Sequence, residues 1–172
     1  EGIKVVELAS FVAAPAAGRM LAEMGADVIR VESTAGDPWR FYGANCGLPI
    51  TDEENPLFDI YNLGKKDIQL NTKTPEGKEI LFHLLDEADV FITNNRLKSL
   101  VRSGLDYESL KDRFPKLIYG LVTGYGQTGP DVDAPGYDGV AFFSRSGMLA
   151  DMAEPSGYPA SAPGCIGDGA TG

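Results

Sequence analysis

Histidine is nearly absent from this chain: His83 is the only one in 172 residues. A Ser-His-Asp triad needs an imidazole base beside its nucleophile, and a zinc-type centre draws on several imidazoles or thiolates. His83 lies between Phe82 and Leu84 in a predicted helix and reads as structural, so both chemistries lack their parts. Cysteine is scarce as well. Cys46 and Cys165 stand far apart with no Cys-x-x-Cys pairing. That excludes a disulfide framework or a thiol redox pair and sets a reducing, cytoplasmic environment as the expectation. Positive charge is in deficit, with 15 Lys plus Arg against 25 Asp plus Glu and a net charge of -10. This balance argues against a nucleic-acid partner. No apolar run approaches the roughly 20 residues of a membrane helix, and no signal-peptide blocks open the sequence. Neither a membrane nor a secretory route is expected. The first residue is Glu1 and the last stretch is glycine-rich, so both ends read as cut from a longer protein.

What is present is a soluble-domain composition, 43% hydrophobic, enough for one sizeable core over residues 1–172. Residues 3–8 and 26–32 read as strands around a helix that Pro15 opens and Gly25 stops. Further strands are expected at 67–70, 90–93 and 117–122. Helices are expected at 75–87, where Thr74 caps; at 97–103, where Gly104 stops; and from Asp106 to about Phe114. Residues 137–147 read as helical, and 33–64, 124–136 and 151–167 as loop. Alternating strands and helices make the fold class α/β, a doubly wound parallel sheet with flanking helices.

Ligands of such sheets bind beyond the carboxyl ends of the strands. The turn after the first strand holds alanines and Pro15 where a dinucleotide site needs Gly-x-Gly-x-x-Gly. No Walker pattern occurs. Lys65 and Lys66 follow the long loop, and Arg96, Lys98 and Arg102 surround the short helix after the fourth strand. That second group is either a seat for a phosphate-bearing ligand or a solvated helix face. The loop 124–130 is either a ligand edge or a flexible turn. Asp168, flanked by Gly167 and Gly169, is a carboxylate that a large ligand can approach closely. A Gly-Asp-Gly turn is the competing reading.

The order of several motifs carries more weight than any one. Ala13-Ala14-Pro15-Ala16-Ala17-Gly18, Gly25-Ala26-Asp27-Val28, Gly36-Asp37-Pro38, Lys73-Thr74-Pro75-Glu76-Gly77-Lys78, Gly124-Tyr125-Gly126-Gln127-Thr128-Gly129-Pro130, Pro135-Gly136-Tyr137-Asp138 and Gly167-Asp168 follow one another. In that order the whole chain resembles the family III CoA-transferases. The wording at 13–20, at Asn94-Asn95-Arg96 and at Leu105-Asp106-Tyr107-Glu108 looks most like the 2-hydroxyisocaproate and phenyllactate/cinnamate CoA-transferases.

The resemblance implies the N-terminal part of a large Rossmann-like domain, in a protein that forms an interlocked homodimer. It implies Asp168 as the catalytic carboxylate. CoA contacts would fall on Val12 and Ala13, on Thr34 in the stretch after Glu32, on Leu70, on Asn94, Asn95 and Arg96, and on Arg102. Acyl-CoA and a small carboxylic acid would be the substrates, with no permanently bound cofactor and no metal. Val12 stands where formyl-CoA transferase has a glutamine and Thr34 near where it has an arginine, which suits an acid less polar than oxalate. The implied chemistry is attack of Asp168 on an acyl-CoA, with an ionised Asp168 held by hydrogen bonds and backbone amides near 167–170 as oxyanion donors. Two rivals remain. One is a non-catalytic nucleotide-binding module. The other is a relative of the α-methylacyl-CoA racemases, which need a histidine where this chain has Ser144-Arg145-Ser146.

Overall fold

The computed structural model describes residues 2–51, 53–159 and 165–172. Five parallel strands, β1 (Lys4–Leu8), β2 (Asp27–Glu32), β3 (Lys66–Gln69), β4 (Val90–Thr93) and β5 (Ile118–Leu121), form one sheet in the order β3-β2-β1-β4-β5. Val6 of β1 lies opposite Ile29 on one side and Phe91 on the other. The helices are α1 (Ala13–Glu23), α2 (Trp39–Tyr42), α3 (Pro56–Asn62), α4 (Pro75–Asp86), α5 (Leu97–Ser103), α6 (Tyr107–Leu110), α7 (Met148–Asp151) and α8 (Ile166–Thr171), with a 3-10 turn at Gly43–Cys46 and a π-helical stretch at Gly139–Ser144. No described helix is long and apolar enough to cross a membrane.

The alternation of each strand sorts its side chains between two layers. Val6 and Phe91 join Leu81, Leu85 and Leu100 beneath α4 and α5. Val5, Val28 and Ile92 pack with Ala14 of α1 on the other face. Each such large aliphatic burial is worth about 1.5–3 kcal/mol. The helix boundaries follow local chemistry: Thr74 accepts from the Gly77 amide at 3.1 Å and Asp106 from the Ser109 amide at 3.3 Å. Gly104 ends α5 in the left-handed region at φ 66°.

Several expectations are revised. The first helix begins at Ala13, two residues before Pro15; a proline is tolerated there because first-turn amides have no intrahelical acceptor. Residues 33–64 are not all loop: they hold α2, the 3-10 turn and α3. Trp39 and Phe58 of this stretch are buried with Val12. Asn55 caps α3, with Pro56 as its first residue, the same signature that marks Thr74-Pro75. The helix after Asp106 stops at Leu110. The loop expected over 151–167 gives way to α8 at Ile166, while its 160–164 part lies outside the described residues.

Charge is buried inside the sheet. Arg30 and Glu7, both 0% exposed, lie side by side on β2 and β1. The Arg30 guanidinium pairs with Glu32 and Asp37, and reaches Asp67 at 3.1 Å. Arg40 bridges Glu32 and Asp67 at 2.6 Å each. Lys65 Nζ pairs with Glu7 at 2.8 Å and donates to the Pro15 carbonyl and to Asn62 Oδ1. Burial pushes the Glu7 carboxyl up and the Lys65 ammonium down, each partly offset by the other's charge. Lys65 is therefore a structural counter-ion of Glu7.

Candidate active site

The strand order reverses between β1 and β4: the chain leaves β1 toward β2 and β4 toward β5. Connections that part in opposite directions leave a crevice at the carboxyl ends of the two strands. It is occupied by residues 9–12 after β1 and 94–96 after β4, and two clefts meet there, sharing Ser10 and Asn95. Asn94 clamps this junction. Its Oδ1 accepts from the Ser10 amide at 3.0 Å and its Nδ2 donates to the Ser10 carbonyl at 2.7 Å.

The first cleft, about 300 Å³, is lined by Phe11, Val12, Ala13, Asn95 and Arg96, by the loops around Gly124 and Gly136, and by Asp168. Asp168 is half-buried in the first turn of α8. That turn is fixed from two sides. The Asp168 amide donates to Asp138 Oδ1 at 2.8 Å. Gly167 packs so closely on the Phe142 ring of the π-helical stretch that a methyl group there would overlap it. Tyr61 of α3 lies on the other side of the turn, its hydroxyl 3.6 Å from where a Cβ on Gly169 would stand. Burial raises its pKa, with Cys165, Asp168 and Asp138 adding to the effect.

Desolvation, and after it the nearby Asp138 carboxylate, push the Asp168 carboxyl from an ordinary 3.8 up to about 6. It is mostly ionised at neutral pH yet more basic than an exposed carboxylate, the condition expected of a tuned nucleophile or base. One expectation is corrected here and a second is narrowed. No donor among the described residues reaches the Asp168 carboxylate, so it is not held by hydrogen bonds to its charged form; burial and like charge dominate and move its pKa upward. The Asp168 and Gly169 amides are also already committed, to Asp138 Oδ1 and the Cys165 carbonyl. Val12 and Ala13, at the start of α1, line the same cleft, and first-turn helix amides lack intrahelical partners.

The second cleft, about 210 Å³, runs past Glu32, Ser33, Asp37, Leu70, Thr72 and Lys73 to Asn95. Together the clefts gather Val12, Ala13, Leu70, Asn94, Asn95, Arg96 and Asp168 of the expected residues. Asn94 spends its side-chain amide on Ser10, whereas the Asn95 side chain has no hydrogen-bond partner among the described residues. Thr34 and Arg102 line neither cleft: Thr34 is exposed on the turn after β2, where Ser33 and Gly36 form the wall, and Arg102 and Lys98 point to solvent from α5. His83 is exposed on α4, also away from both. Asp138, Tyr61 and Lys73 were missed as site residues. Asp138 and Lys73 each stood in a quoted motif, and the Asn55-Pro56 cap would have placed Tyr61 on a helix.

The sequence model of CoA-transferase family III matches residues 1–172. The chain belongs to that family. Among family members it is 50% identical over 167 residues to the cinnamoyl-CoA:phenyllactate CoA-transferase of Clostridium sporogenes, covering 97% of this chain and 40% of that protein. It is 44% identical to the (R)-2-hydroxy-4-methylpentanoate CoA-transferase of Clostridioides difficile, covering 98% of this chain and 42% of that one. The crystal structure of a CAIB/BAIF family protein from Brucella suis superposes with a TM-score of 0.88 at 40% identity, over 98% of this chain and 44% of the other. The chain thus spans less than half the length of these family III relatives.

Proposed function

We propose that the full-length protein moves CoA between an acyl-CoA and a carboxylic acid, with Asp168 as nucleophile. The observation that carries this reading is the placement of Asp168: a half-buried carboxylate raised to about 6, in a cleft at the strand-order reversal of a family III fold. The acyl thioester would lie in the first cleft. The nucleotide end of CoA would extend through the second, past Leu70 and Lys73, with Asn95 available to both. Arg96 supplies a cation at the rim of the first cleft; Thr34 and Arg102 would serve only at the mouth of the site.

Asp168 attacks the thioester carbonyl, the C–S bond breaks, and the electron pair leaves on the CoA thiolate. The product is a mixed anhydride of Asp168 and the acyl group. The thiolate then attacks the aspartyl carbonyl, releasing the first acid as a carboxylate and leaving an aspartyl-CoA thioester. The acceptor carboxylate attacks that thioester and displaces the thiolate. The thiolate finally takes the acceptor's acyl carbon, freeing Asp168. No net proton or electron is consumed, so the cycle closes without a resident metal or redox group. A carboxylate is a weak nucleophile, and holding it against the thioester supplies much of the rate. The α1 first-turn amides stabilise the oxyanion.

The apolar wall of Phe11, Val12 and Ala13 suits an aryl or branched hydroxy acid, in line with the substrates named for the two relatives at 50% and 44% identity. The family also supports an interlocked homodimer, and the cysteine usage a cytoplasmic protein. Incubation of the full-length protein with acyl-CoA should place a CoA adduct on the peptide bearing Asp168, read by mass spectrometry, and Asp168→Ala should abolish both adduct and transfer. Wild-type turnover in Asp168→Ala would overturn the assignment; CoA binding with neither adduct nor turnover in the wild type would leave a binding module.

A further inference from the structure

Ser10 is shared by the two clefts, and the next residue, Phe11, lines the first and holds a left-handed backbone at φ 63°. A bulky residue pays strain energy there unless its surroundings hold it. The holder is Asp37. Both of its carboxylate oxygens accept from the Phe11 amide, at 3.1 and 3.2 Å, and Oδ1 also accepts from the Trp39 amide at 2.9 Å. Asp37 is only 2% exposed and is itself anchored by the fully buried Arg30. Beyond the turn, the Phe11 ring meets the Tyr137 ring edge-on, with centroids 5.9 Å apart. Tyr137 precedes Asp138, which holds the Asp168 amide. A continuous set of contacts thus runs from Arg30 through Asp37, Phe11 and Tyr137 to the turn that carries Asp168.

We propose that Asp37 is a positioning residue of this site, one that fixes the Phe11 turn and through it the shape of the cleft around Asp168. The proposal rests on the CoA-transferase reading. A carboxylate is required for two reasons. It must accept several donors at once, and it must answer the Arg30 charge, which keeps it from rotating away from the Phe11 amide. Asp37→Asn keeps the shape and removes the charge. Asp37→Glu keeps the charge and moves the carboxylate by one methylene.

In the full-length protein both variants should lower kcat by about ten- to a hundredfold, the scale of a misplacement of roughly 1 Å at a reacting centre, while KM for acyl-CoA changes less than threefold. Asp37→Glu should stay nearer the wild type in thermal midpoint, because Arg30 remains paired. Either variant with an unchanged circular dichroism spectrum decides the matter. A wild-type kcat in Asp37→Glu would make Asp37 merely a counter-ion of Arg30. A rise in KM with unchanged kcat would make it a wall of the second cleft. Failure of both variants to fold would make it a stability residue. Each of these outcomes overturns the proposal, and each is distinct from failure of the parent reading, which shows as transfer that survives Asp168→Ala.

Discussion

The amide of Asp168 donates to Asp138 Oδ1 at 2.8 Å, so the nearest like charge to the Asp168 carboxylate is also the group that holds its backbone. One residue thereby orients the turn and raises the basicity of the side chain it carries.

Asp138→Asn separates those two effects, since the amide oxygen still accepts from Asp168. Asp168 must be ionised to attack, so kcat/KM for the full-length protein should fall as pH drops through about 6. Removing the Asp138 charge should carry that acidic limb to lower pH, while burial keeps it above 3.8. A limb unmoved in the pH–rate profile would remove Asp138 from the electrostatics of the site.

An acid whose pKa is raised on folding stabilises the fold below its unfolded value and loses that contribution as pH rises through the folded value. Asp168→Asn should therefore be inactive yet more stable at pH 7.5, by the order of 1 kcal/mol or less, a rise of at most roughly 2–4 °C. The gain should shrink as pH falls from about 6 toward 3.8. Melting curves across that range test the sign directly.

Gly167→Ala would drive a methyl group into the Phe142 ring. Because α8 is seated by that contact, overpacking should cost about 1–3 kcal/mol and displace Asp168. A drop in kcat of at least about tenfold is expected. A variant with normal kcat would show that α8 has slack.

Gly124 and Gly136 touch backbone to backbone in the wall of the first cleft, and a Cβ on either would overlap the other. Backbone cannot rotate aside as a side chain can. Gly124→Ala should part the two loops, raise KM for acyl-CoA and lower the thermal midpoint; unchanged values of both would argue that the loops do not shape the cleft.

Arg30→Ala strips the counter-charge from Asp37 and leaves Glu7 with Lys65 alone and Glu32 with Arg40 alone, all three carboxylates being buried. Breaking such a network typically costs about 3–5 kcal/mol, a fall of roughly 6 °C or more in thermal midpoint. Arg30→Met should cost less at pH 5 than at pH 8, as the stranded carboxylates can take up protons.

Much of the frame was legible in residue order. The apolar runs at Val5-Val6 and Phe91-Ile92, the caps Thr74 and Asp106 and the stop at Gly104 are local signals, decided within a turn or two of chain. They suffice for five strands, their helices and an α/β class. The motif order led to Asp168 and to Asn95 and Arg96, which the crevice does bring together. What lay outside that reach depends on contacts between residues distant in the chain. Arg30 reads as an ordinary strand residue until β1 sets it beside Glu7, and Lys65 as a free cation until the fold closes around it. Whether Asp168 sits high or low in pKa depends on burial and on Asp138, thirty residues earlier. Arg102 shows the converse: helical spacing places it one turn from Lys98, but the direction in which α5 packs, set by Leu100 in the core, turns it toward solvent. Local sequence specifies conformation. Electrostatic environment is a sum over space, and only packing brings its terms together.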